Sequence, residues 1–415
     1  MSQYQDCASP AAAARDGLDP PAPSRRWLVA ALAAGAAAAV ARPALAQTPG
    51  PAAPPSTITS PPRDFSPGAP PTTYFTDPDV LSVDPSFNGL RQPNAAIQRL
   101  WTGALWMEGP AWNAVGKFLI WSDIPNNRQM RWLDDDGHVS TFRAPSNNSN
   151  GNTFDFQGRQ ISCEHLTRRV VRYELDGSAT VLADSFEGKR LNSPNDAVAH
   201  PDGSVWFTDP PYGGQLYEGA PDVAGGPSNA AGRLNPRLGQ PPGMGMGRRE
   251  LLTNVYRIDP SGRVEMVIEE AQVPDPNGLC FAPDYRRLYV ASTGRGPGDA
   301  GPGGKGDIHV FDIADNKASN PRLFTDCMID GVKCGPDGLR CDVNGNLWAS
   351  SNAGRSVGYS GVMVWSPEGK LLGRIRLPEV CGNIAFGGPK RNRLFMAASQ
   401  SLYALYVGTQ GAGPA

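Results

Sequence analysis

The stretch PNGLCFAPDYRRLYVAS, residues 276–292, consists of a small polar residue, an apolar run, a polar turn and a second apolar run. Residues 149–165 (SNGNTFDFQGRQISCEH) and residues 336–352 (PDGLRCDVNGNLWASSN) have the same layout. Two short β-prone runs joined by a tight turn predict a β-hairpin. A chain that repeats the same hairpin is predicted to repeat one structural unit.

The repeat becomes clear when each segment is aligned on its first polar residue. The six residues that mark the repeats are Glu108, Asn150, Asn195, Asn277, Asp337 and Asn383. They are spaced by 42, 45, 82, 60 and 46 residues. The two long spacings contain Gly- and Pro-rich insertions, 214–250 and 295–306, and without these insertions they shorten to 45 and 48 residues. The underlying period is therefore 42–48 residues, repeated six times.

Each repeat continues with a third apolar run and, in most cases, a fourth. Four strands in each of six repeats of this length are typical of an all-β, six-bladed β-propeller, which we assign to residues 96–408. The last repeat has three runs and ends at residues 401–407. We therefore predict that residues 96–103 supply its missing outer strand and close the ring, which removes the open sheet edge.

The N-terminal region has the features of an export signal. The pair Arg25 and Arg26 precedes an Ala-rich apolar run, and residues 44–46 fit a small-residue cleavage site. These features predict that residues 1–46 are a twin-arginine signal peptide, that the twin-arginine export machinery is a partner, and that the mature chain is periplasmic or secreted. An uncleaved membrane anchor is the alternative. Residues 47–95, rich in Pro, Ser and Thr, are predicted to form a disordered leader.

Charge and cysteine content restrict the partners and the chemistry. A formal net charge of −2 provides no basic face, which argues against a nucleic-acid partner. Four of the cysteines that follow the signal lie in apolar runs, where a buried free thiol is expected. Cys327 and Cys334 could form a disulfide in an oxidising compartment, and their spacing leaves this open. Composition does not indicate the oligomeric state.

The six repeat residues are predicted to form a central site. In a propeller the innermost strands line the channel, so residues that begin these strands converge at one mouth. Two carboxylates and four carboxamides offer oxygen ligands alone, which favours calcium, with magnesium or manganese as alternatives and zinc as a weaker one. The competing interpretation is that Asn and Asp merely suit strand starts and turns.

Four motifs occur in order along the chain: EGPAW (108–112), NSPNDAV with VWFTDPPYG (192–198 and 205–213), PNGLCF (276–281) and PDGLRCDVNGNLW (336–348). Together they resemble the senescence-marker-protein (regucalcin)/gluconolactonase family over residues 96–408, with the exported bacterial gluconolactonases most similar. The resemblance implies a divalent cation, usually calcium, held by Glu108, Asn195, Asn277 and Asp337. It also implies that Asp337 is the catalytic base or nucleophile and that the substrate is a sugar lactone, such as glucono-1,5-lactone, which is hydrolysed to gluconate.

Further residues are predicted to contact the substrate. Asn150 belongs to the central ring, and His165, Asp209 and Tyr212 follow strands that return to the same mouth. Regucalcin-type members carry an arginine at the position of Ser193, and Arg190 is the nearest arginine here. A rim position without chemistry is an equal alternative for His165. The insertion 214–250 is predicted to be either a lid or a passive surface loop.

Three functions remain open at this stage. The first is metal-dependent lactone hydrolysis, and the absence of a GxSxG motif argues against a serine hydrolase. The second is a calcium-dependent phosphotriesterase or aryl-esterase activity, because such propellers share a similar Glu/Asn/Asn/Asp site. The third is a non-catalytic ligand-binding propeller with a structural cation. The pair of carboxylates favours catalysis over binding alone.

Overall fold

The computed structural model of the protein describes residues 76–213, 249–294 and 303–413. These residues form six antiparallel sheets of four or five strands and two short two-stranded hairpins, and the six larger sheets confirm the all-β, six-bladed propeller. Within the described residues, no helix is long and apolar enough to cross a membrane. The one regular helix among them is a short 3₁₀ turn, Pro85–Gly89.

We number the sheets as blades 1 to 6 in chain order. Blade 1 consists of Met107–Asn113, Phe118–Asp123, Arg128–Leu133 and Val139–Arg143. Blade 2 consists of Ser149–Phe154, Gln160–Glu164, Arg169–Tyr173 and Ala179–Ala183. Blade 3 consists of Ala197–Ala199, Val205–Asp209, Asn254–Ile258 and Val264–Ile268. Blade 4 consists of Pro276–Phe281, Arg287–Ser292, Asp307–Ala314 and Lys317–Thr325. Blade 5 contains Gly335–Cys341, Leu347–Asn352, Gly361–Trp365 and Leu371–Arg376, and blade 6 contains Cys381–Gly387, Arg393–Ala398 and Ser401–Tyr406. An N-terminal strand, described below, is added to each of blades 5 and 6. Short hairpins, Ser185–Phe186 with Lys189–Arg190 and Met328–Ile329 with Val332–Lys333, follow blades 2 and 4.

The blades are held together by apolar side chains that alternate along their strands and fill the space between neighbouring sheets. Trp206 of blade 3 meets Phe281 of blade 4 edge to face, with ring centroids 5.4 Å apart. Trp112 of blade 1 stacks on Phe395 of blade 6 at 5.9 Å. Each of the six interfaces between blades has such a cluster of buried residues. The core is therefore divided among the interfaces, and it positions the innermost strands around the axis.

The ring closes as the sequence predicts. Gln98–Thr102 forms the outer strand of blade 6 and pairs antiparallel with Ser401–Tyr406. Thr102 lies opposite Ser401, and Gln98 lies opposite Ala404. One blade thus contains strands from both ends of the propeller, and backbone hydrogen bonds join the first and last strands of the ring.

The predicted leader, residues 47–95, is corrected in its last part. Val80–Ser82 pairs with Leu371–Arg376 and forms a fifth, outermost strand of blade 5. Phe87 is buried, and its ring packs beside Gly373 and Trp348. The Pro-rich composition concealed a few apolar residues that cover the edge of blade 5. The signal prediction for residues 1–46 and the rest of the leader fall outside the described residues.

Two further predictions concern the insertions and the cysteines. Residues 214–248 of the first insertion and residues 295–302 of the second lie outside the described residues. The six cysteines of the described residues are buried free thiols, so Cys327 and Cys334 are not joined by a disulfide. The thiols of Cys280 and Cys341, on neighbouring innermost strands, lie 3.8 Å apart. As expected for strand positions in a core, they are packing residues.

The contribution of the N-terminal segment to the fold can be measured with Phe87→Ala. Removing a fully buried aromatic ring leaves a cavity, so we expect the free energy of unfolding to fall by about 3 to 5 kcal/mol. Phe156, which lies in an exposed turn, provides the matched control, and Phe156→Ala should change stability by less than about 1 kcal/mol. Denaturant unfolding of both variants tests this. Equal stabilities would show that residues 76–95 are not part of the cooperative fold.

Candidate active site in the central channel

Strand pairing defines where each predicted site residue sits. In blades 4 and 5, Leu279 pairs with Val290 and Leu339 pairs with Ala349, and the site residue lies two positions before each leucine. These site residues are Asn277 and Asp337. The same register in blades 2 and 3 places Asn150 and Asn195 at the equivalent position. Four of the six repeat residues therefore begin their strands in the same register and at the same end of the channel.

The other two repeat residues depart from the register by one position, which corrects the alignment made from the sequence. In blade 1 the pairing of Ala111 with Ile120 places Glu108 one residue too early. In blade 6 the pairing of Ile384 with Met396 places Asn383 one residue too late. The longer side chain of Glu108 and the deeper position of Asn383 allow the two to meet. The amide nitrogen of Asn383 donates to Glu108 Oε2 at 3.1 Å.

The innermost strands approach so closely that the residue after four of the six site residues must be glycine. A β-carbon at Gly151 would lie 2.3 Å from the carbonyl oxygen of Asn195 in the next blade, and one at Gly278 would lie 2.0 Å from that of Asp337. Gly151 also donates its amide proton to the Asn195 carbonyl at 2.7 Å. Direct backbone contact between blades thus fixes the spacing of the site residues.

Blade 3 breaks this rule, because Asp196 occupies the position that is glycine in blades 2, 4 and 5. Its side chain is fully buried, and its Oδ2 lies 3.4 Å from the amide nitrogen of Asn383. Its Oδ2 also lies 3.6 Å from a guanidinium nitrogen of Arg340. The sequence pattern did not identify Asp196 or Arg340. The available signal was that NDAV has an aspartate where repeats 1, 2, 4 and 5 have a glycine after the site residue.

The channel therefore contains three buried carboxyl groups close together. Burial raises the pKa of Glu108 to about 7, although hydrogen bonds from Gly109 and Asn383 oppose this shift. Burial also raises the pKa of Asp196, and the nearby Arg340 guanidinium opposes it. The pKa of Asp337 lies well above its usual range because of burial and because Glu108 and Asp196 are nearby. Such a cluster favours the binding of positive charge.

The donor set fits an oxygen-liganded cation. Asp337 Oδ1 and Asn150 Oδ1 are buried and have no hydrogen-bond partner among the described residues. Asn195 and Asn277 are buried at the equivalent position of their blades. The described residues include no group of three or more His, Cys, Asp or Glu side chains arranged to hold a metal, so carboxamide oxygens would have to complete the ligand set. The oxygen of Asn383 instead accepts the amide proton of Ile384 at 2.8 Å.

A buried polar network fixes the blade 1 and blade 2 parts of the site. Asn152 occupies a position that is apolar in the other five blades. Its amide nitrogen donates to the carbonyl oxygens of Gly109 (2.9 Å) and Asn150 (3.1 Å). Its amide oxygen accepts from Gln129 at 3.0 Å. Because buried polar groups are costly unless they are paired, this network holds the peptide groups beside the site in one arrangement.

Two of the predicted substrate-binding residues lie beside this group. His165 is buried, and its Nε2 lies 3.4 Å from the amide nitrogen of Asn150. Tyr212 donates its hydroxyl proton to the carbonyl oxygen of Gly294 at 2.8 Å. Burial raises the pKa of the Tyr212 hydroxyl well above its usual range, and the nearby charge of Asp337 adds to the shift. Both side chains therefore lie at the channel mouth that contains the carboxyl groups.

The structure assigns different positions to the other two predicted contacts. Asp209 is fully buried, and its two carboxylate oxygens accept the amide protons of Asn192 (2.7 Å) and Ser193 (2.8 Å). It holds the loop that leads to Asn195, so a direct substrate contact is not supported. Arg190 is exposed and donates to the Thr167 carbonyl at 3.3 Å. In the described part of the chain, no hydrogen bond connects it to the central carboxyl groups.

The close approach of the strands can be tested with Gly278→Ala. The new methyl group would meet the Asp337 carbonyl, so blade 4 must shift, and we expect a loss of about 1 to 3 kcal/mol of stability or more. Gly89 has open space around its α-carbon and an ordinary backbone conformation, so Gly89→Ala should be nearly neutral. Thermal unfolding of the two variants checks this. Equal melting temperatures would contradict the proposed backbone contact.

Comparison with known proteins gives four related matches. The family model described as "SMP-30/Gluconolactonase/LRE-like region" matches residues 106–400. A gluconolactonase of Zymomonas mobilis is 28% identical over 354 residues, which cover 80% of this chain and 87% of the relative. The pentonolactonase XacC of Haloferax volcanii is 26% identical over 300 residues, covering 70% and 81% of the two chains. The solved structure of XC5397 from Xanthomonas campestris, described as a gluconolactonase, is 31% identical with a TM-score of 0.63, and the match covers 79% of this chain and 94% of that one.

Proposed function

This chain belongs to the SMP-30/gluconolactonase/LRE-like family and is a lactone hydrolase, and we propose that it opens a sugar lactone with the help of a divalent cation. The proposed substrate is an aldonolactone such as glucono-1,5-lactone, and the product is the open-chain acid, gluconate. The names of the Zymomonas, Haloferax and Xanthomonas relatives support this class of substrate. The ring size and the sugar are part of the proposal.

One observation carries the proposal: Asp337 has a buried oxygen without a partner, in a channel that already contains two other carboxyl groups. A buried unpaired oxygen is costly, and proteins retain such groups where a ligand uses them. Asn150 provides a second unpaired oxygen near the same mouth. We propose that Glu108, Asn195, Asn277 and Asp337 hold the cation, with calcium preferred because all of these groups are hard oxygen ligands.

The proposed reaction uses Asp337 as the general base. Its carboxylate accepts a proton from a water molecule while the water oxygen forms a bond to the lactone carbonyl carbon. The bond from that carbon to the ring oxygen then breaks, and the ring oxygen takes up the proton held by Asp337 to become the hydroxyl of the acid product, which restores the carboxylate of Asp337. When bound, a divalent cation supplies polarisation of the carbonyl and stabilisation of the negative charge that develops there. The buried walls of the channel strengthen these electrostatic effects by excluding water.

His165 and Tyr212 are proposed to orient the substrate at the mouth. His165 lies beside Asn150, and the Tyr212 ring lies near Asp337, so both can meet a sugar hydroxyl that enters above the carboxyl groups. Export by the twin-arginine machinery to the periplasm is a further part of the proposal. It depends on Arg25 and Arg26 and on the apolar run that follows them.

The role of Asp337 is tested by Asp337→Asn, which keeps the shape of the side chain and removes the base. We expect kcat for glucono-1,5-lactone to fall by about 10²-fold to 10⁴-fold, measured at mildly acidic pH, where spontaneous opening is slow. Asp135, an exposed carboxylate of a blade 1 turn, provides the control, and Asp135→Asn should retain activity. Full activity in the Asp337 variant would refute the proposed base.

The role of the cation is tested by chelation. Treatment with EDTA should abolish hydrolysis and lower the melting temperature, and added calcium should restore both, because an ion that binds only the folded state stabilises it. Activity that survives chelation would contradict the metal-assisted mechanism. Preferential hydrolysis of an aryl ester or a phosphotriester would favour the second function considered above. Calcium binding without hydrolysis of any of these substrates would favour a ligand-binding propeller.

A further inference from the structure

Arg340 and Asp196 form an ion pair beneath the proposed cation site. Arg340 follows Asp337 by three residues on the innermost strand of blade 5, and its side chain is 17% exposed. Asp196 comes from blade 3, and its side chain is fully enclosed. The pair therefore connects two blades that are not neighbours, across the axis of the propeller. Neither residue is among the proposed cation ligands.

Asn383 connects this pair to the cation site. Its amide nitrogen lies between Glu108 Oε2 at 3.1 Å and Asp196 Oδ2 at 3.4 Å. Its amide oxygen is engaged by Ile384 and packs against Gly338, where a β-carbon would come within 2.0 Å of it. The carboxamide is thereby fixed with its nitrogen toward the two carboxylates. The position of Asp196 is transmitted to Glu108 through one hydrogen-bonded side chain.

The charges of the channel give the ion pair its importance. Glu108, Asp196 and Asp337 are three acidic groups, and Arg340 is the basic group that contacts them among the described residues. Burial raises the pKa of both Glu108 and Asp196, and the positive charge of Arg340 opposes the rise at both carboxyl groups. A buried carboxylate needs such compensation, since an unpaired charge in the interior is costly.

We propose that Arg340, through its ion pair with Asp196, sets the affinity of the central site for its divalent cation. The guanidinium of Arg340 neutralises one of the three carboxylates. An entering cation is therefore attracted by the negative charge of the two remaining carboxylates. This inference rests on the proposed cation-dependent function. Arg340 acts through Asp196 and Asn383, and it is therefore a positioning and charge-setting residue that does not touch the substrate.

The proposal predicts effects of opposite sign for the two partners. Arg340→Met removes a positive charge near the site and should raise calcium affinity by about tenfold or more, because like charges at this range interact strongly in a partly buried site. Asp196→Asn removes a negative charge and should lower the affinity by a similar factor. The double variant should return to within about threefold of the wild type, since the two charge changes cancel. Arg340→Lys keeps the charge and should also remain within about threefold.

The measurement is calcium titration of the full-length protein in competition with a chromogenic chelator, and thermal unfolding without calcium confirms that each variant is folded. Arg391 lines a cavity together with Arg340 and provides a matched control, so Arg391→Met should leave the affinity unchanged. A loosened structure would lower the affinity in every variant, and only a charge effect raises it in Arg340→Met. If Asp196→Asn does not fold, the contrast between Arg340→Met and Arg340→Lys still decides the matter.

The outcomes separate this inference from the proposed function. If the wild type binds no calcium, the cation-dependent function itself is refuted, and the role of Arg340 is refuted with it. If the wild type binds calcium and Arg340→Met binds it equally or more weakly while folded, only the inference is overturned. A rise in affinity with Arg340→Met, lost again in the double variant, supports it.

Discussion

The pairing of Gln98–Thr102 with Ser401–Tyr406 is the constraint on which the rest of the structure depends. It places blade 6 against blade 1, and the hydrogen bond from Asn383 to Glu108 crosses that junction between residues 275 positions apart. Without ring closure, blades 1 and 6 would not be neighbours, and these two side chains would not be in contact. The closing strand completes blade 6 as a four-stranded sheet, so one strand contributes both to stability and to the assembly of the site.

The site exists at an electrostatic cost. Burial raises the pKa values of Glu108, Asp196 and Asp337, which means that their charged forms are disfavoured without a positive partner. The apolar interfaces between blades provide the stability that tolerates this group. Arg340 compensates part of the charge, and a divalent cation would compensate the remainder.

Several of the polar residues around the candidate site lie where the repeat is broken. Glu108 and Asn383 are displaced by one position in opposite directions, Asp196 replaces a glycine, and Asn152 replaces an apolar residue. The regular positions build a frame of nearly equal blades, and the exceptions concentrate acidic and amide groups on one part of the channel. Departures from a structural repeat are expected at functional sites, because function requires groups that the fold alone would not select.

The sequence by itself determined the number of blades, their strands, the closing strand and the positions of Asn150, Asn195, Asn277 and Asp337 at the starts of the innermost strands. These features follow from strand periodicity and turn chemistry, which are local properties that recur in each of the six repeats. The tertiary structure decided that residues 76–95 cover blade 5, that Asp209 holds a loop, and that Asp196 and Arg340 belong to the site. These features depend on contacts between distant blades and on a shift of one residue in strand pairing. The one-residue shifts accompany β-bulges at the starts of these strands, and alignment on the first polar residue does not locate such a bulge.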